Sequence, residues 1–136
     1  MPSPIPPKAK KVFSGVIFDT YQWEQEMYDG STETFERLRR ADTINIIAVQ
    51  GKDIFITKQE QPTRQPSFSF IGGRMDPGES ALETAKRELL EESGMTAESF
   101  KLYETIQPAN KIDWKIHTFI AKGCTKIQDQ MLDPGE

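Results

Sequence analysis

The stretch that decides the fold is RELLEESG, residues 87–94, which brings three glutamates within two turns of a predicted helix. Like charges four residues apart on a helix repel one another, at a cost of a few tenths of a kcal/mol. An exposed acidic face is the ordinary explanation of such a run. The alternative is a metal site, because Glu88, Glu91 and Glu92 together with a backbone carbonyl suit a hard divalent ion such as Mg²⁺ or Mn²⁺.

The helix that carries these glutamates is predicted to cover about residues 79–93 and to stop at Gly94. Residues advance by about 100° around a helix, so the core face is predicted to hold three small or apolar residues. These are Leu82, Ala85 and Leu89. Glu88 and Glu92 fall at the edge of that face, where partly desolvated carboxylates are costly unless cations are present.

The loop before the helix strengthens the metal-site interpretation. Gly72 and Gly73 allow close approach of the backbone to other groups and unusual φ values. A glycine-rich turn that leads into a helix can hold phosphate oxygens at the helix N-terminus.

Loop and helix together resemble a known family motif. From Gly73 the chain reads GRMDPGESALETAKRELLEESGM, residues 73–95. This resembles the Nudix box: Gly, five residues, Glu, seven residues, then Arg-Glu-apolar-x-Glu-Glu-x-Gly-apolar. The nine matching positions are Gly73, Glu79, Arg87, Glu88, Leu89, Glu91, Glu92, Gly94 and Met95.

The resemblance implies a fold, a cofactor and a reaction. The fold is an α+β, Nudix-type α/β/α sandwich with a mixed central sheet and an N-terminal β-hairpin. The cofactor is Mg²⁺ or Mn²⁺, and the reaction is hydrolysis of a nucleoside diphosphate linked to another moiety. Divalent ions serve this reaction because they neutralise the charge of a pyrophosphate.

The same resemblance assigns roles to residues of the box. Glu88 and Glu92 are the main expected metal ligands, with Glu91 in support and the carbonyl of Gly73 as a further ligand. Arg87 is expected to pair with Glu79 and fix the loop to the helix, and Gly94 has a structural role at the helix end. Outside the box, Glu136 is a candidate general base, although a solvated chain end is an equally good interpretation.

The flanks of the box resemble the ADP-ribose pyrophosphatase branch, which includes nucleotide-sugar hydrolases. The shared features are DGST followed by TFERLRR, and QEQP followed by Arg64, ahead of the box. In that branch the N-terminal strands form a homodimer and the nucleoside pocket. Candidates for stacking on a base are Trp23, Phe35 and Tyr21, and candidates for holding phosphates are Arg37, Arg40, Arg64 and Arg74.

The predicted function is therefore metal-dependent hydrolysis of ADP-ribose or a nucleotide sugar to a nucleoside monophosphate and a sugar phosphate. Two alternatives stay open. One is a housecleaning hydrolase of nucleoside triphosphates or dinucleotides, which the N-terminal hairpin disfavours. The other is a non-catalytic nucleotide-sensing domain, which the complete set of box glutamates disfavours.

Composition bounds these interpretations. The chain has 136 residues, of which 28% are charged, and its net charge is −4, so it gains no general attraction to nucleic acid or anionic membranes. Residues 1–11 are predicted to be a flexible arm without the apolar region of a signal peptide. Residues 12–136 are predicted to be a single domain, with its hairpin at 12–40. One cysteine, Cys124, and no apolar run of membrane-spanning length predict a cytoplasmic protein.

Strand predictions follow from runs of β-branched and aromatic residues bounded by turn signals. Asp29-Gly30 predicts a turn between the first two strands. Residues 61–66, with two prolines, are predicted to be a loop. The predicted strands are residues 12–28, 43–50, 54–59, 67–74, 100–107 and 114–123. Residues 31–40 could be a second strand or a short helix, and the Asp29-Gly30 turn before them favours the strand of a hairpin.

Overall fold

The computed structural model describes residues 1–135, which divide into two compact units. The hairpin unit consists of Met1–Asp42 and Ile106–Lys115. The helix unit consists of Thr43–Thr105 and the chain from Ile116 onward. The predicted division into an arm and one domain stays a prediction.

The described residues form thirteen strands and one α-helix. In chain order they are β1 (Lys10–Ser14), β2 (Asp19–Glu26), β3 (Thr32–Arg39), β4 (Thr43–Gln50), β5 (Asp53–Phe55), β6 (Thr57–Gln61), β7 (Arg64–Ser69), β8 (Ile71–Arg74), α1 (Ala81–Ser93), β9 (Met95–Thr96), β10 (Ser99–Ile106), β11 (Ile112–Asp113), β12 (Ile116–Lys122) and β13 (Thr125–Lys126).

The hairpin unit is a four-stranded sheet in the order β1-β2-β3-β11. Strands β2 and β3 pair antiparallel along their whole length, from Asp19 opposite Arg39 to Glu26 opposite Thr32. The predicted turn at Asp29-Gly30 joins them, with Gly30 at φ 85° donating its N–H to Met27 O. The predicted hairpin is therefore present.

The first predicted strand, residues 12–28, is interrupted in the structure. Gly15 N–H donates to Phe18 O at 2.9 Å, which turns the chain back so that β1 pairs antiparallel with β2. A side chain at Gly15 would press on that carbonyl, so the glycine permits the turn. The β-branched and aromatic run predicted the extended segments but not the turn between them.

The helix unit is built on a mixed sheet around β4. Strand β12 pairs parallel with β4 from Ile116 opposite Thr43 to Lys122 opposite Val49, and β10 lies beyond β12. On the other edge of β4, β8 and β5 pair antiparallel with its first and last residues respectively. Strand β8 is thus fixed to the sheet directly before the loop that leads to α1.

Apolar burial is concentrated in the helix unit. Alternate residues of β4, which are Ile44, Ile46 and Ala48, are almost fully buried and pack with Leu89 of α1. This alternation is typical of a strand with one face on a core. The other members of this core are Ile71, Ala85, Met95, Phe119, Ala121 and Cys124.

Two smaller strand pairs complete the helix unit. Strand β6 pairs with β7 and β9 pairs with β13, both antiparallel. The β6–β7 hairpin occupies the segment that the prolines predicted to be a loop. Pro62 falls in its turn, and Pro66 lies in β7, which pairs with β6 alone and so tolerates a missing N–H donor.

Two further outcomes concern the chain as a whole. Within the predicted arm, Ile5 is buried and Ser3 Oγ donates to Asp113 Oδ2 at 2.8 Å. Within residues 1–135 no helix has the length and apolar character that crossing a membrane requires.

Candidate active site

The helix α1 begins and ends with strong local signals. Ser80 is the N-cap: its Oγ accepts from Glu83 N–H at 3.1 Å, and the Glu83 carboxylate accepts from Ser80 N–H at 3.0 Å. This reciprocal pair is a capping box. Gly94 ends the helix in the left-handed region with φ 70°. The helix therefore begins at Ala81, close to the predicted start.

The faces of the helix differ from the prediction at one residue. Ala85 and Leu89 are fully buried as predicted, but Leu82 is 40% exposed and the prediction that it belongs to the core was wrong. Thr84 takes the buried position, where its hydroxyl donates to Glu79 Oε1 at 3.0 Å and to Ser80 O. The polar loop before the helix thus covers the first turn.

Two of the three box glutamates are buried. Glu88 and Glu92 are each 9% exposed, and Glu91 is partly buried. One side of Glu92 meets β8, because Gly72 N–H donates to Glu92 Oε2 at 3.3 Å. Since isolated carboxylates are costly to bury, these positions require compensating donors or cations.

Gly73 and Glu88 are in direct contact. A Cβ added at Gly73 would overlap the carboxylate of Glu88, which would then have to shift. The neighbouring Gly72 is more constrained, because a Cβ there would overlap the backbone oxygen of Ile44 on β4. The pair of glycines thus lets β8 lie close to both the sheet and the acidic side chains.

Arg87 connects the acidic groups of the loop and helix. Its Nε and Nη2 donate to the two carboxylate oxygens of Glu79 at 2.8 and 2.9 Å. Its Nη1 donates to Glu88 Oε1 at 3.0 Å and to Glu91 Oε2 at 3.1 Å. Nη2 also reaches Arg74 O at 3.1 Å, which ties the loop to the helix. The geometry contains the ion pair between Arg87 and Glu79 that the resemblance implies.

This ion pair shifts the ionisation of both partners. The Arg87 guanidinium lowers the pKa of the Glu79 carboxyl from its ordinary 4.5 to about 2, with help from the hydrogen bond that Asp76 N–H donates. Conversely, the hydrogen bonds to Glu79 raise the pKa of the Arg87 guanidinium. Both groups are charged at neutral pH, and they supply the fixed geometry of the loop.

A metal ion would find suitable donors here, although they do not converge in this structure. Among residues 1–135 no three His, Cys, Asp or Glu side chains are gathered as a metal site. The oxygens of Glu88 and Glu91 face Arg87, whereas Glu92 Oε2 faces Gly72. The donors are nevertheless carboxylate oxygens beside the backbone of Gly73. Oxygen ligands of this type suit Mg²⁺ or Mn²⁺.

The segment after β13 returns to the end of α1, which sequence reasoning did not anticipate. Met131 N–H donates to Glu91 O at 2.7 Å, and Gln130 Nε2 donates to Glu92 O at 2.6 Å. Ile127 N–H donates to Gly94 O at 2.8 Å. These donors satisfy carbonyls that the end of a helix leaves open. No local motif marks such bonds in the sequence.

A cleft adjoins Glu92 on the side of this segment. It is lined by Thr57, Lys58, Gln59, Glu60, Gln61, Glu92, Gln130 and Leu132. A second, connected part of the depression adds Ile56, Ile71 and Met95. Among the predicted site residues that the structure describes, only Glu92 lines this cleft.

The predicted base-stacking residues lie together on the hairpin unit. Trp23 and Phe35 are directly opposite each other on β2 and β3, with ring centroids 5.8 Å apart and an edge-to-face angle of 63°. The Arg37 guanidinium lies 5.7 Å from both rings. Trp23 is buried, so its ring contributes packing as well as any surface for a ligand.

The other predicted substrate contacts have different surroundings. Tyr21 Oη accepts from Arg39, and Arg40 lies 4.7 Å from the Trp114 ring. Arg64, on β7, donates to Gln59 Oε1 and Ser67 Oγ at 3.1 Å each. Arg74 has an exposed side chain next to Gly73. Glu136, the candidate general base, lies outside the described residues.

The comparison with protein families decides the identity of the fold and motif. The model of the NUDIX domain matches residues 37–136. The chain belongs to the Nudix family. The prediction made from the nine box positions is confirmed, and with it the enzyme class, a Nudix pyrophosphohydrolase.

Relatives and a solved structure place the chain within this family. It is 26% identical over 124 residues to the ADP-ribose pyrophosphatase of Bacillus subtilis (strain 168), covering 89% of this chain and 67% of the relative. It is 27% identical over 125 residues to the methanol dehydrogenase activator of Bacillus methanolicus, covering 90% and 68%. The crystal structure of an ADP compounds hydrolase matches with a TM-score of 0.77 at 21% identity, covering 94% of this chain and 71% of that one.

The structural match confirms the predicted fold class. A mixed sheet, strands in the majority and one helix are the features that the described residues share with the Nudix fold. Within residues 1–135 the helical layer is represented by α1, the helix that carries the box.

Proposed function

We propose that this Nudix protein hydrolyses the pyrophosphate bond of ADP-ribose or a nucleotide sugar, giving a nucleoside monophosphate and a sugar phosphate. The observation that carries the proposal is the contact of the buried Glu88 carboxylate with Gly73, beside Glu92 on the same helix. The similarity to an ADP-ribose pyrophosphatase over most of the chain supports this choice of substrate.

The box residues would hold a divalent ion, Mg²⁺ or Mn²⁺. We propose Glu88, Glu91, Glu92 and the carbonyl of Gly73 as its ligands. When bound, such an ion supplies positive charge that neutralises the pyrophosphate and orients it for attack. The residues around it keep the ligand geometry: Gly73 leaves space for Glu88, and Gly72 N–H holds Glu92.

Arg87 has a positioning role in this proposal. Its two bonds to Glu79 and its bond to Arg74 O fix the loop, and Nη1 holds Glu88 and Glu91 side by side. A cation within hydrogen-bond distance of two carboxylates offsets their mutual repulsion. Glu88 and Glu91 would therefore bind the metal ion as a pair of carboxylates that Arg87 already holds side by side.

Substrate contacts and the general base remain proposals from resemblance. Trp23, Phe35 and Arg37 form a cluster of ring faces and positive charge suited to a nucleotide. Arg64 and Arg74 are proposed to contact phosphate oxygens or to orient residues that do. Glu136 is proposed as the base that activates water.

Assembly and location are proposed on the same grounds. We propose a homodimer formed through the N-terminal strands, because the edge strand β1 exposes Val12 and Phe13. The free, buried thiol of Cys124 is compatible with a cytoplasmic protein. The proposed partner is a small nucleoside diphosphate derivative rather than nucleic acid or a membrane.

A substrate panel tests this function. ADP-ribose, GDP-mannose, UDP-glucose, NADH, diadenosine polyphosphates and dGTP would each be incubated with and without Mg²⁺, and the phosphate products separated. We expect Mg²⁺-dependent release of AMP from ADP-ribose, or of a nucleoside monophosphate from one of the sugar nucleotides. Preferred turnover of dGTP or of a dinucleotide would support the housecleaning alternative instead.

A matched pair of variants connects this activity to the box. Glu92→Gln should lower kcat by more than about 100-fold, because even residues that only orient metal ligands are worth 10- to 100-fold. Glu104→Gln, an exposed change of the same kind in β10, should keep wild-type activity. Equal activity of wild type and Glu92→Gln would contradict the proposed site.

A further inference from the structure

The cleft beside Glu92 has polar walls suited to a hydroxyl-bearing ligand. Its lining residues are those of β6, from Thr57 to Gln61, together with Glu92, Gln130 and Leu132. The charged lining residues are Lys58, Glu60 and Glu92, and Thr57, Gln59, Gln130 and Gln61 supply a hydroxyl and three carboxamides. Such groups both donate and accept hydrogen bonds, as the hydroxyls of a sugar do.

The orientation of the first carboxamide is determined by its neighbour. Arg64 Nη2 donates to Gln59 Oε1 at 3.1 Å and to Ser67 Oγ at the same distance. A guanidinium is a donor only, so the oxygen end of Gln59 must face Arg64. The NH₂ group of Gln59 is then the end available to a ligand, as a hydrogen-bond donor.

The second carboxamide has the opposite orientation. Gln130 Nε2 donates to Glu92 O at 2.6 Å. A backbone carbonyl accepts only, so the nitrogen end of Gln130 faces the helix and Oε1 is the end available to a ligand. The cleft therefore combines a fixed donor from Gln59 with a fixed acceptor from Gln130.

The position of the cleft next to Glu92 indicates which part of a substrate it would hold. Glu92 is a proposed metal ligand, so a diphosphate bound at the box would continue into the space that Glu92 also lines. Lys58 also lines the cleft and lies 3.9 Å from the carboxylate of Glu60, an exposed side chain that lines the cleft as well. A contact this long and this exposed holds Lys58 weakly, which leaves its charge available to a phosphate.

We propose that this cleft binds the sugar-phosphate half of the substrate, and that Gln59 and Gln130 determine specificity for its hydroxyl groups. The inference rests on the proposed function, because it places a sugar phosphate next to the hydrolysed bond. Arg64 is a positioning residue in this arrangement, since it acts through the orientation of Gln59.

Binding of the isolated sugar phosphate tests the cleft without turnover. Calorimetric titration with ribose 5-phosphate and with glucose 1-phosphate, each with Mg²⁺ present, would be carried out on wild type, Gln59→Ala and Gln130→Ala. Loss of one hydrogen bond to a neutral group weakens binding by roughly 3- to 10-fold. We expect this increase in Kd for the better-bound sugar phosphate in both variants, with AMP affinity unchanged.

The matched control is Gln65→Ala, which removes an exposed carboxamide from β7 at a position that does not line the cleft. It should bind both sugar phosphates as the wild type does. Arg64→Ala should weaken sugar-phosphate binding to the extent that Gln59→Ala does, and the double variant should lose no more than either single one. Thermal melting of each variant shows whether Gln130→Ala also loosens the end of α1.

The outcomes separate the two proposals. If the wild type hydrolyses ADP-ribose or a sugar nucleotide but Gln59→Ala and Gln130→Ala keep its KM and its sugar-phosphate Kd, the cleft proposal is overturned and the function stands. If the wild type turns over no member of the panel, the proposed function fails, and sugar-phosphate binding that depends on Gln59 still identifies the cleft as a site. Absence of sugar-phosphate binding to the wild type overturns the cleft proposal.

Discussion

The two units of the molecule differ in the kind of interaction that stabilises each of them. The helix unit contains a contiguous core in which Ile46, Ala48 and Leu89 have no exposed surface. In the hairpin unit, the buried apolar residues are Ile5 and Trp23. Burial of apolar surface contributes roughly 25 cal/mol per Å², so it stabilises the helix unit far more than the hairpin unit.

The hairpin unit relies on contacts across its sheet. Trp23 packs on Phe35 with Arg37 near both rings, and the Arg39 guanidinium lies 4.8 Å from the Tyr21 ring. Each contact of this kind contributes about 0.5–1.5 kcal/mol. Apart from the buried Trp23, these side chains are partly exposed, so a ligand or another copy of the chain can contact them. The comparison shows that the unit with the larger apolar core carries the acidic site, whereas the less buried unit offers surfaces for recognition.

The test with the largest expected effect compares two leucine truncations, one in each unit. Leu89→Ala, in the core of the helix unit, should lower the free energy of unfolding by about 2–5 kcal/mol because it removes fully buried methyl groups. Leu38→Ala, at a half-buried position of β3, should cost about 1 kcal/mol. Urea unfolding measures both. Equal costs would show that the hairpin unit is stabilised by burial as well.

A second test compares two glycines with positive φ. Gly30→Ala should cost about 1–2 kcal/mol from backbone strain alone, because nothing lies within 4 Å of its added Cβ. Gly94→Ala should cost more, because its Cβ also overlaps Gln128 O in the segment that returns to the helix end. The difference between the urea unfolding midpoints of the two variants measures the cost of that overlap. A smaller cost at Gly94 would mean that the returning segment can move aside.

A third, smaller effect is a pH dependence of the stability of the helix unit. The pKa of Glu79 is lowered from 4.5 to about 2, so its pair with Arg87 contributes stability above pH 4.5 that is lost as the pH falls towards 2. Glu79→Gln should remove this part of the acid dependence, whereas Glu33→Gln in β3 should leave it intact. Unfolding midpoints between pH 5 and pH 2 give the result, and identical slopes in wild type and Glu79→Gln would refute it.

The smallest expected effect concerns the ring cluster of the hairpin unit. Arg37→Lys keeps the charge but loses the flat guanidinium near Trp23 and Phe35, and should destabilise by less than about 1 kcal/mol. Its effect on KM for the best substrate should be larger than its effect on stability if Arg37 contacts the nucleotide. Unchanged KM would restrict Arg37 to a structural role.

The strands and the helix of the box were predictable because their signals are local. Alternation in residues 43–50 marks β4, and the spacing of Ser80, Glu83 and Gly94 marks the two ends of α1. Capping bonds join residues only a few positions apart, so the sequence carries them directly. The turn at Gly15 was missed because a single glycine interrupts a run rich in β-branched and aromatic residues, which favour strands.

By itself, the sequence determined the family, the acidic helix and the glycines that adjoin it. Only the tertiary structure decided which oxygens of Glu88 and Glu91 face Arg87, and that Gln130 reaches Glu92 from 38 residues away. It also decided the parallel pairing of β4 with β12. The physical reason is that long-range contacts depend on how separate elements pack. A residue's type shows what it can bond, but the fold determines which partner comes within reach.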